Sequence, residues 1–233
     1  MLGVKSLDVR LGEKLVLQDV TLSVGEGETV AVLGPSGSGK STLLRAVAGL
    51  VPVESGTITW DGQDMTTVPT HLRGFGLMFQ GYALFPHLDV FGNVGFGLRM
   101  ANLPDNEMHR RVTATLELVG LDGFERRSIA DLSGGEKQRV ALARTLAPEP
   151  RMIMLDEPLG ALDRALRERL MVDTRRILSD GGVTALVVTH DREEAGTLSD
   201  RIALMREGSI VQSGTLPDIL ADPADDWVRD FLG

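Results

Sequence analysis

Nine consecutive residues, Gly34-Pro35-Ser36-Gly37-Ser38-Gly39-Lys40-Ser41-Thr42, constrain this chain more than any other stretch. They fit G-x-x-x-x-G-K-[ST], the pattern of a phosphate-binding loop. The setting gives the match its weight. The run Thr29–Leu33 before the loop is apolar and β-branched, which predicts a buried strand. Residues 42–49 after it predict a helix that stops at Gly49. Strand, glycine loop and helix start, in that order, make an anion site. Backbone N–H groups curl around phosphates, and the positive end of the helix dipole faces them. Lys40 is then placed to meet the β- and γ-phosphates as a point charge, and the Ser41 hydroxyl to ligate Mg²⁺. A glycine-rich surface turn with an exposed lysine is the competing reading, and it leaves both flanks unexplained.

At 233 residues the chain can bury a substantial core. Its 24 Lys+Arg against 33 Asp+Glu give a net charge of -9, which argues against nucleic acid as a partner. With no cysteine, disulfides, zinc–thiolate sites and thiol catalysis are excluded, and a reducing cytosol is the natural setting. No apolar run approaches the roughly 18 to 20 residues that span a bilayer. If the protein works at a membrane, another chain must do the spanning.

Strands are expected at Val4–Arg10, Val20–Val24, Thr29–Leu33, Gly56–Trp60 and Phe75–Phe79. Gly25-Glu26-Gly27-Glu28 reads as a hairpin joining the second to the third, and Asp61-Gly62 as a tight turn. From about 88 to 148 the periodicity is helical, with segments near 89–101, 105–119 and 134–147. Buried strands then return at Met152–Leu155 and Thr184–Thr189, with helices at 163–179 and 191–198. Strands at Arg201–Met205 and Ser209–Gln212 and short helices near 215–220 and 224–231 follow. This alternation implies an α/β core with a largely parallel sheet, interrupted by an all-helical insert.

Asp156 and Glu157 directly follow the strand 152–155. In parallel sheets ligands bind beyond the carboxyl ends of the strands, so this pair is expected in the crevice that holds Lys40. Asp156 would hold Mg²⁺ and Glu157 polarise an attacking water as a general base. His190 and Gln80 end two further apolar strands at the same edge. His190 can reach the γ-phosphate or the water, and Gln80 the metal or the water. Solvated acids and bystander polar residues at strand ends are the blander alternative.

Leu132-Ser133-Gly134-Gly135-Glu136 opens a helix. Ser133 and Glu136 fit an S-x-x-E capping box. Two glycines in the first turn weaken that helix, each by about 1 kcal/mol against alanine. A bare helix start is, however, a second anion site to which glycines admit a phosphate.

With these residues in place, the chain resembles the ATP-binding subunit of an ATP-binding cassette (ABC) transporter along essentially its whole length. The ordered motifs are Walker A at 34–42, the Q-loop Gln80, the signature 132–136, Walker B 152–156 with Glu157, the D-loop Ala161-Leu162-Asp163 and the switch His190. The resemblance implies a P-loop NTPase core with a mainly parallel sheet, an N-terminal antiparallel β subdomain and an inserted helical subdomain. Residues 1–87 and 149–233 would form the first two and about 88–148 the third, with no C-terminal regulatory domain. It also implies a homodimer, or a paired ABC subunit, sandwiching ATP and Mg²⁺. Each ATP would lie between Walker A of one copy and Ser133, Gly134 and Gly135 of the other. Asp163 would communicate across that dimer, and Gln80 would sense both Mg²⁺ and the membrane partner. One departure stands out: where the family places an aromatic residue to stack on adenine, this chain has Leu11 before Gly12, which turns stacking into plain apolar contact.

The single Tyr and four of the seven Phe fall between 79 and 96, so this segment is expected to serve both as core and as a docking groove for a transmembrane permease. Its wording is similar to importers fed by a solute-binding protein, the group handling ferric iron, polyamines, sulfate, thiamine and sugars. The implied location is the cytoplasmic side of the cell membrane, as a peripheral subunit. Export is the alternative direction. A soluble ABC ATPase of DNA repair or translation is disfavoured by the acidic balance, and a small-molecule kinase leaves 132–136 without a purpose.

Overall fold

The computed structural model describes residues 1–160 and 164–233; the expectation for Asp163 lies outside the described residues. The chain opens with β1 (Leu2–Leu11), β2 (Lys14–Val24) and β3 (Thr29–Leu33), then α1 (Lys40–Ala48), β4 (Ser55–Trp60), β5 (Gln63–Asp64) and β6 (Phe75–Met78). Helices α2 (Val90–Val94), α3 (Phe96–Met100), α4 (Asp105–Leu118) and α5 (Gly134–Leu146) come next. The order then returns to β7 (Met152–Asp156), α6 (Arg164–Asp180), β8 (Ala185–Thr189), α7 (Arg192–Leu198), β9 (Arg201–Arg206) and β10 (Ser209–Gly214). Two short helices, α8 (Leu216–Ala221) and α9 (Asp226–Leu232), follow. No described helix is long and apolar enough to cross a membrane.

Two sheets organise these elements. One is antiparallel, in the order β2-β1-β4-β5; the other runs β10-β9-β3-β8-β7-β6. In the second, β9, β3, β8, β7 and β6 are parallel and only β10 runs against its neighbour. The fold is thus α/β, with a largely parallel sheet, an antiparallel sheet and a helical part.

Alternation along the central strands divides the interior in two. Ala31, Leu33, Ile153, Leu155, Ala185 and Val187 face a core shared with α2, α4, α5, α6 and α7. Their neighbours Val30, Val32, Met152, Met154, Leu186 and Val188 face a second core, shared with α1 and the antiparallel sheet. A strand buried on both faces carries apolar residues without a polar alternation, which is why 29–33, 152–155 and 185–188 read as continuous apolar runs. Each such Val or Leu contributes about 1.5–3 kcal/mol on burial.

Two sequence expectations need correction. Gly25–Glu28 does turn, with the Glu28 N–H donating to Gly25 O at 3.3 Å, but it makes no hairpin. β2 pairs with β1, and β3 leaves for the other sheet between β8 and β9. The hairpin of this region is the one closed by Gly12-Glu13, where Leu11 pairs with Lys14 and Gly12 takes φ 60. The helix expected over 89–101 is two short ones, broken at Gly95. Asp61-Gly62, in contrast, is the tight turn expected: both residues have positive φ (49 and 78), and Trp60 pairs with Gln63.

Candidate functional site

Two glycines of the loop after β3 are hemmed in by their surroundings. A Cβ on Gly34 would stand 2.1 Å from the Met205 carbonyl oxygen, and one on Gly39 2.9 Å from Leu17 Cδ2. Gly39, at φ 108, is the N-cap of α1 and contributes no side chain to it, so the first N–H groups of that helix face the loop uncapped. The opposite end of α1 is closed. Gly49 takes a left-handed conformation, and the buried Arg73 donates from Nη1 to the Val47 and Ala46 carbonyls at 2.7 and 3.2 Å. A cation on the helix's negative end and bare N–H groups on its positive end favour an anion at the loop.

Lys40 lies across this loop, its Nζ donating to Gly34 O at 2.8 Å and Pro35 O at 2.9 Å. Burial lowers the Lys40 pKa, and the charges of Glu157 and Asp156 oppose that shift. Pro35, Ser36 and Gly37 are exposed, whereas Ser38 is buried and its hydroxyl finds no protein partner among the described residues. The Ser41 hydroxyl donates to Asp156 Oδ1 at 2.9 Å, across the width of β8; Thr42 follows it within the first turn of α1. Ser41 and Asp156 supply the hard oxygen donors that suit Mg²⁺, an ion that takes few protein ligands and completes its shell with water and substrate phosphate. The orphaned Ser38 hydroxyl and the glycine cradle fit a phosphate in the same way.

The ends of two other strands, β6 and β8, converge on Glu157, the residue after Asp156. Glu157 accepts from Gln80 Nε2 at 2.9 Å through Oε2, and its Oε1 lies 3.2 Å from His190 Nδ1. Its backbone N–H donates to Val188 O at 2.9 Å while its own φ is 46, a left-handed value for a residue with a side chain. Strain of that kind costs about 1–3 kcal/mol and persists where surrounding contacts over-determine it. Here it turns a carboxylate out of a strand and into the crevice between an amide and an imidazole.

Ser133, Gly134 and Gly135 open a different element, α5. The capping box forms: Glu136 N–H donates to Ser133 Oγ at 3.3 Å, and Ser133 N–H donates to Glu136 Oε2 at 2.7 Å. Gly134 is exposed and Gly135 buried against Leu166 and Leu170. Leu11 ends β1 at 43 % exposure, and the part of β2 that backs the loop is Val16 and Leu17.

One buried group escaped the sequence reading. Glu194, in the first turn of α7, is 2 % exposed. Its Oε2 accepts from the Thr189 hydroxyl at 2.6 Å, and Thr189 Oγ1 accepts in turn from Asp191 N–H at 3.0 Å. The ring brackets His190. Burial, aided by Asp191, pushes the Glu194 carboxyl up from 4.5 to about 7, while Thr189, Arg167 and His190 pull the other way. Between pH 4.5 and about 7 the folded chain keeps a proton that the unfolded chain has lost. Stability therefore falls as pH rises through that window, by about 3 kcal/mol once the group is ionised. Urea unfolding of Glu194→Gln at pH 5 and pH 8 should show this loss removed. An unchanged difference between the two pH values would rule the assignment out. Acid residues in first helical turns read as dipole partners, so only burial distinguishes this one.

Comparisons with known proteins bear on the family and the fold. The family model described as "ABC transporter" matches residues 17–160. The Fe(3+) ions import ATP-binding protein FbpC of Streptomyces avermitilis is 57 % identical over 233 residues, all of this chain and 68 % of that protein. The sulfate/thiosulfate import ATP-binding protein CysA of Nocardia farcinica is 47 % identical, again over all of this chain and 70 % of its own length. The spermidine/putrescine import ATP-binding protein PotA of Mesoplasma florum is 48 % identical over 94 % of this chain and 63 % of its own. Among solved structures, a dimeric post-hydrolysis state of an ATP-binding cassette bound to ADP and Pi superposes with a TM-score of 0.80 at 32 % identity, covering 93 % of this chain and 99 % of that one. A phosphate loop, an acid pair at a parallel-sheet edge, and relatives matched along the full chain lead to one assignment: the chain belongs to the ABC transporter family.

Proposed function

We propose that the chain is the ATP-hydrolysing subunit of an importer, working as a dimer on the cytoplasmic face of a membrane beneath permease subunits fed by a solute-binding protein. The observation that carries this reading is Glu157, held between Gln80 and His190 at the end of the strand whose Asp156 accepts from Ser41. In this reading residues 1–87 and 149–233 form the catalytic and antiparallel β parts, and about 88–148 the helical part.

Lys40 and the N–H groups of Gly37–Thr42 hold the β- and γ-phosphates of ATP. Glu157 takes a proton from the attacking water as oxygen bonds to the γ-phosphorus and the bond to the ADP oxygen breaks. His190 and Gln80 orient that carboxylate and the water. Ser41 and Asp156, with Gln80, would hold Mg²⁺, which would supply neutralisation of charge on the phosphates. The start of α5 hydrogen-bonds within its own capping box and not to the groups around Glu157, and in this reading Ser133, Gly134 and Gly135 of a second copy complete the site. Asp163 belongs to the same reading as a link across that dimer. Leu11 takes adenine by apolar contact.

Next to Gln80 a cleft of about 770 Å³ is lined by Phe79, Phe85, Phe96, Pro148 and His71. Tyr82 and Phe91 pack instead against the core, so the aromatic segment is divided between the interior and this cleft. The cleft suits a helix presented by a permease. Since the chain has no cysteine, His71→Cys introduces a unique thiol. Labelled with a thiol-reactive photocrosslinker, it should crosslink in native membranes to an integral membrane protein in an ATP-dependent way, and ATP hydrolysis by the purified chain should rise faster than linearly with its concentration. Crosslinking only to soluble proteins would remove the transport reading, and strictly linear rates would remove the dimer.

A further inference from the structure

Three consecutive residues after Gln80 have left-handed backbone: Gly81 (φ 76), Tyr82 (φ 67) and Ala83 (φ 46). Only the first is a glycine. For the other two, Cβ crowds the following carbonyl, and a run of such residues does not sustain itself. Inside the turn, Tyr82 N–H donates to Phe79 O at 3.0 Å and Ala83 N–H to Gly81 O at 2.8 Å. Tyr82 packs against the core, and the hydrogen bonds from outside come from α5. Arg144 Nη2 donates to Tyr82 O at 2.8 Å and Nη1 to Ala83 O at 2.7 Å, a two-pronged grip on adjacent carbonyls. The guanidinium lies 5.3 Å from the Phe85 ring centroid. Burial alone lowers its pKa. A cation half-buried on neutral carbonyls is an expensive choice for a helix that has solvent on its other face.

We propose that Arg144 is a positioning residue: its forked guanidinium latches the left-handed turn, and so fixes where Gln80 stands against Glu157. The same side chain belongs to the helix whose first turn carries Ser133, Gly134 and Gly135. At 1.5 Å per residue, Arg144 stands roughly 16 Å along that rod from Ser133. A shift of the rod is transmitted to the Gln80 turn through two hydrogen bonds, and the reverse holds equally. The inference rests on the proposed role of Gln80 at the catalytic carboxylate.

The test uses the full chain, with turnover measured at saturating ATP and affinity measured with a fluorescent ATP analogue. Arg144→Ala should lower kcat by about tenfold or more, since displacement of a catalytic group by an ångström is enough for that, while affinity stays within about twofold. Arg144→Lys keeps the charge but loses the fork, and should fall between. Ala83→Gly, which makes the turn easier to hold, should be neutral alone and should raise the kcat of Arg144→Ala by about threefold or more. Should Arg144→Ala fail to fold, Arg144→Lys with and without Ala83→Gly carries the same comparison. An unchanged kcat, or no rescue by Ala83→Gly, overturns the latch. Gln80→Ala separates the two layers. If it hydrolyses ATP at the wild-type rate, the assignment of Gln80 fails; if it is slow while Arg144→Ala is not, the latch alone fails.

Discussion

Replacing Glu157 by Gln is expected to slow ATP hydrolysis by about 10²- to 10³-fold and to leave ATP affinity within about twofold. The amide keeps the shape of the carboxylate and its place between Gln80 and His190, but it cannot accept a proton from water. In the proposed reading binding is unaffected because the phosphate contacts are assigned to Lys40 and the loop backbone, with the Lys40 ammonium held by Gly34 O and Pro35 O. Removing one negative charge takes away an attraction that supports protonated Lys40 and also a repulsion toward the ATP phosphates, so the two effects oppose each other and any change in affinity should be small. Single-turnover phosphate release is the measurement. A variant that hydrolyses at a third of the wild-type rate or better would transfer the base to another group.

The second large effect is one of geometry. Gly135→Asp should abolish hydrolysis, by about 10²-fold or more, as expected for loss of preorganised donors to transition-state charge. An added Cβ would sit 3.1 Å from Leu166 Cδ1 and 3.3 Å from Leu170 Cδ1, flexible side-chain ends that must give by a few tenths of an ångström. A carboxylate at a helix start suits the dipole but is costly against two leucines, and the complementation below, which a misfolded chain could not give, checks the fold as well. Lys40→Ala should be comparably inactive. Mixed together, these two inactive proteins should regain activity. A dimer with one copy of each has one site spoiled twice and one site with both halves intact. Random pairing of a two-fold dimer gives half mixed dimers with one good site each, hence about a quarter of wild-type turnover. Complementation is read from the rate of the mixture against each variant alone. A mixture as inactive as its components would mean that one copy supplies its own donors.

What could be read in the residues beforehand follows from how far apart the interacting groups lie. The phosphate loop is contiguous, so its strand, glycines and helix were all legible in 20 residues. So was the sharing of one sheet edge by Gln80, Asp156, Glu157 and His190, because parallel strands of apolar residues leave their termini on one side. The grip of Gln80 and His190 on the Glu157 oxygens was not legible, since it depends on a left-handed φ at Glu157. Strand pairing was misread at Gly25–Glu28 for a related reason. The turn is real, but Thr29 finds its partner at Ala185, over 150 residues away, and local turn signals carry no information about that. Gly95 broke a helix that apolar spacing alone joined. Arg144 and Glu194 look in the sequence like the charged faces of amphipathic helices; the hydrogen bonds of the half-buried Arg144 and the burial of Glu194 reveal otherwise.

The division of the interior into two cores has a mechanical consequence. The central strands form a common wall, yet neighbouring residues on each strand answer to different rooms. The α2–α5 layer can therefore tilt against its own side of that wall while the phosphate loop, braced from the opposite side, stays in register. Slow amide exchange in β3 alongside faster exchange in α2 and α3 is the imprint such an arrangement would leave: a rigid anvil with a yielding hammer.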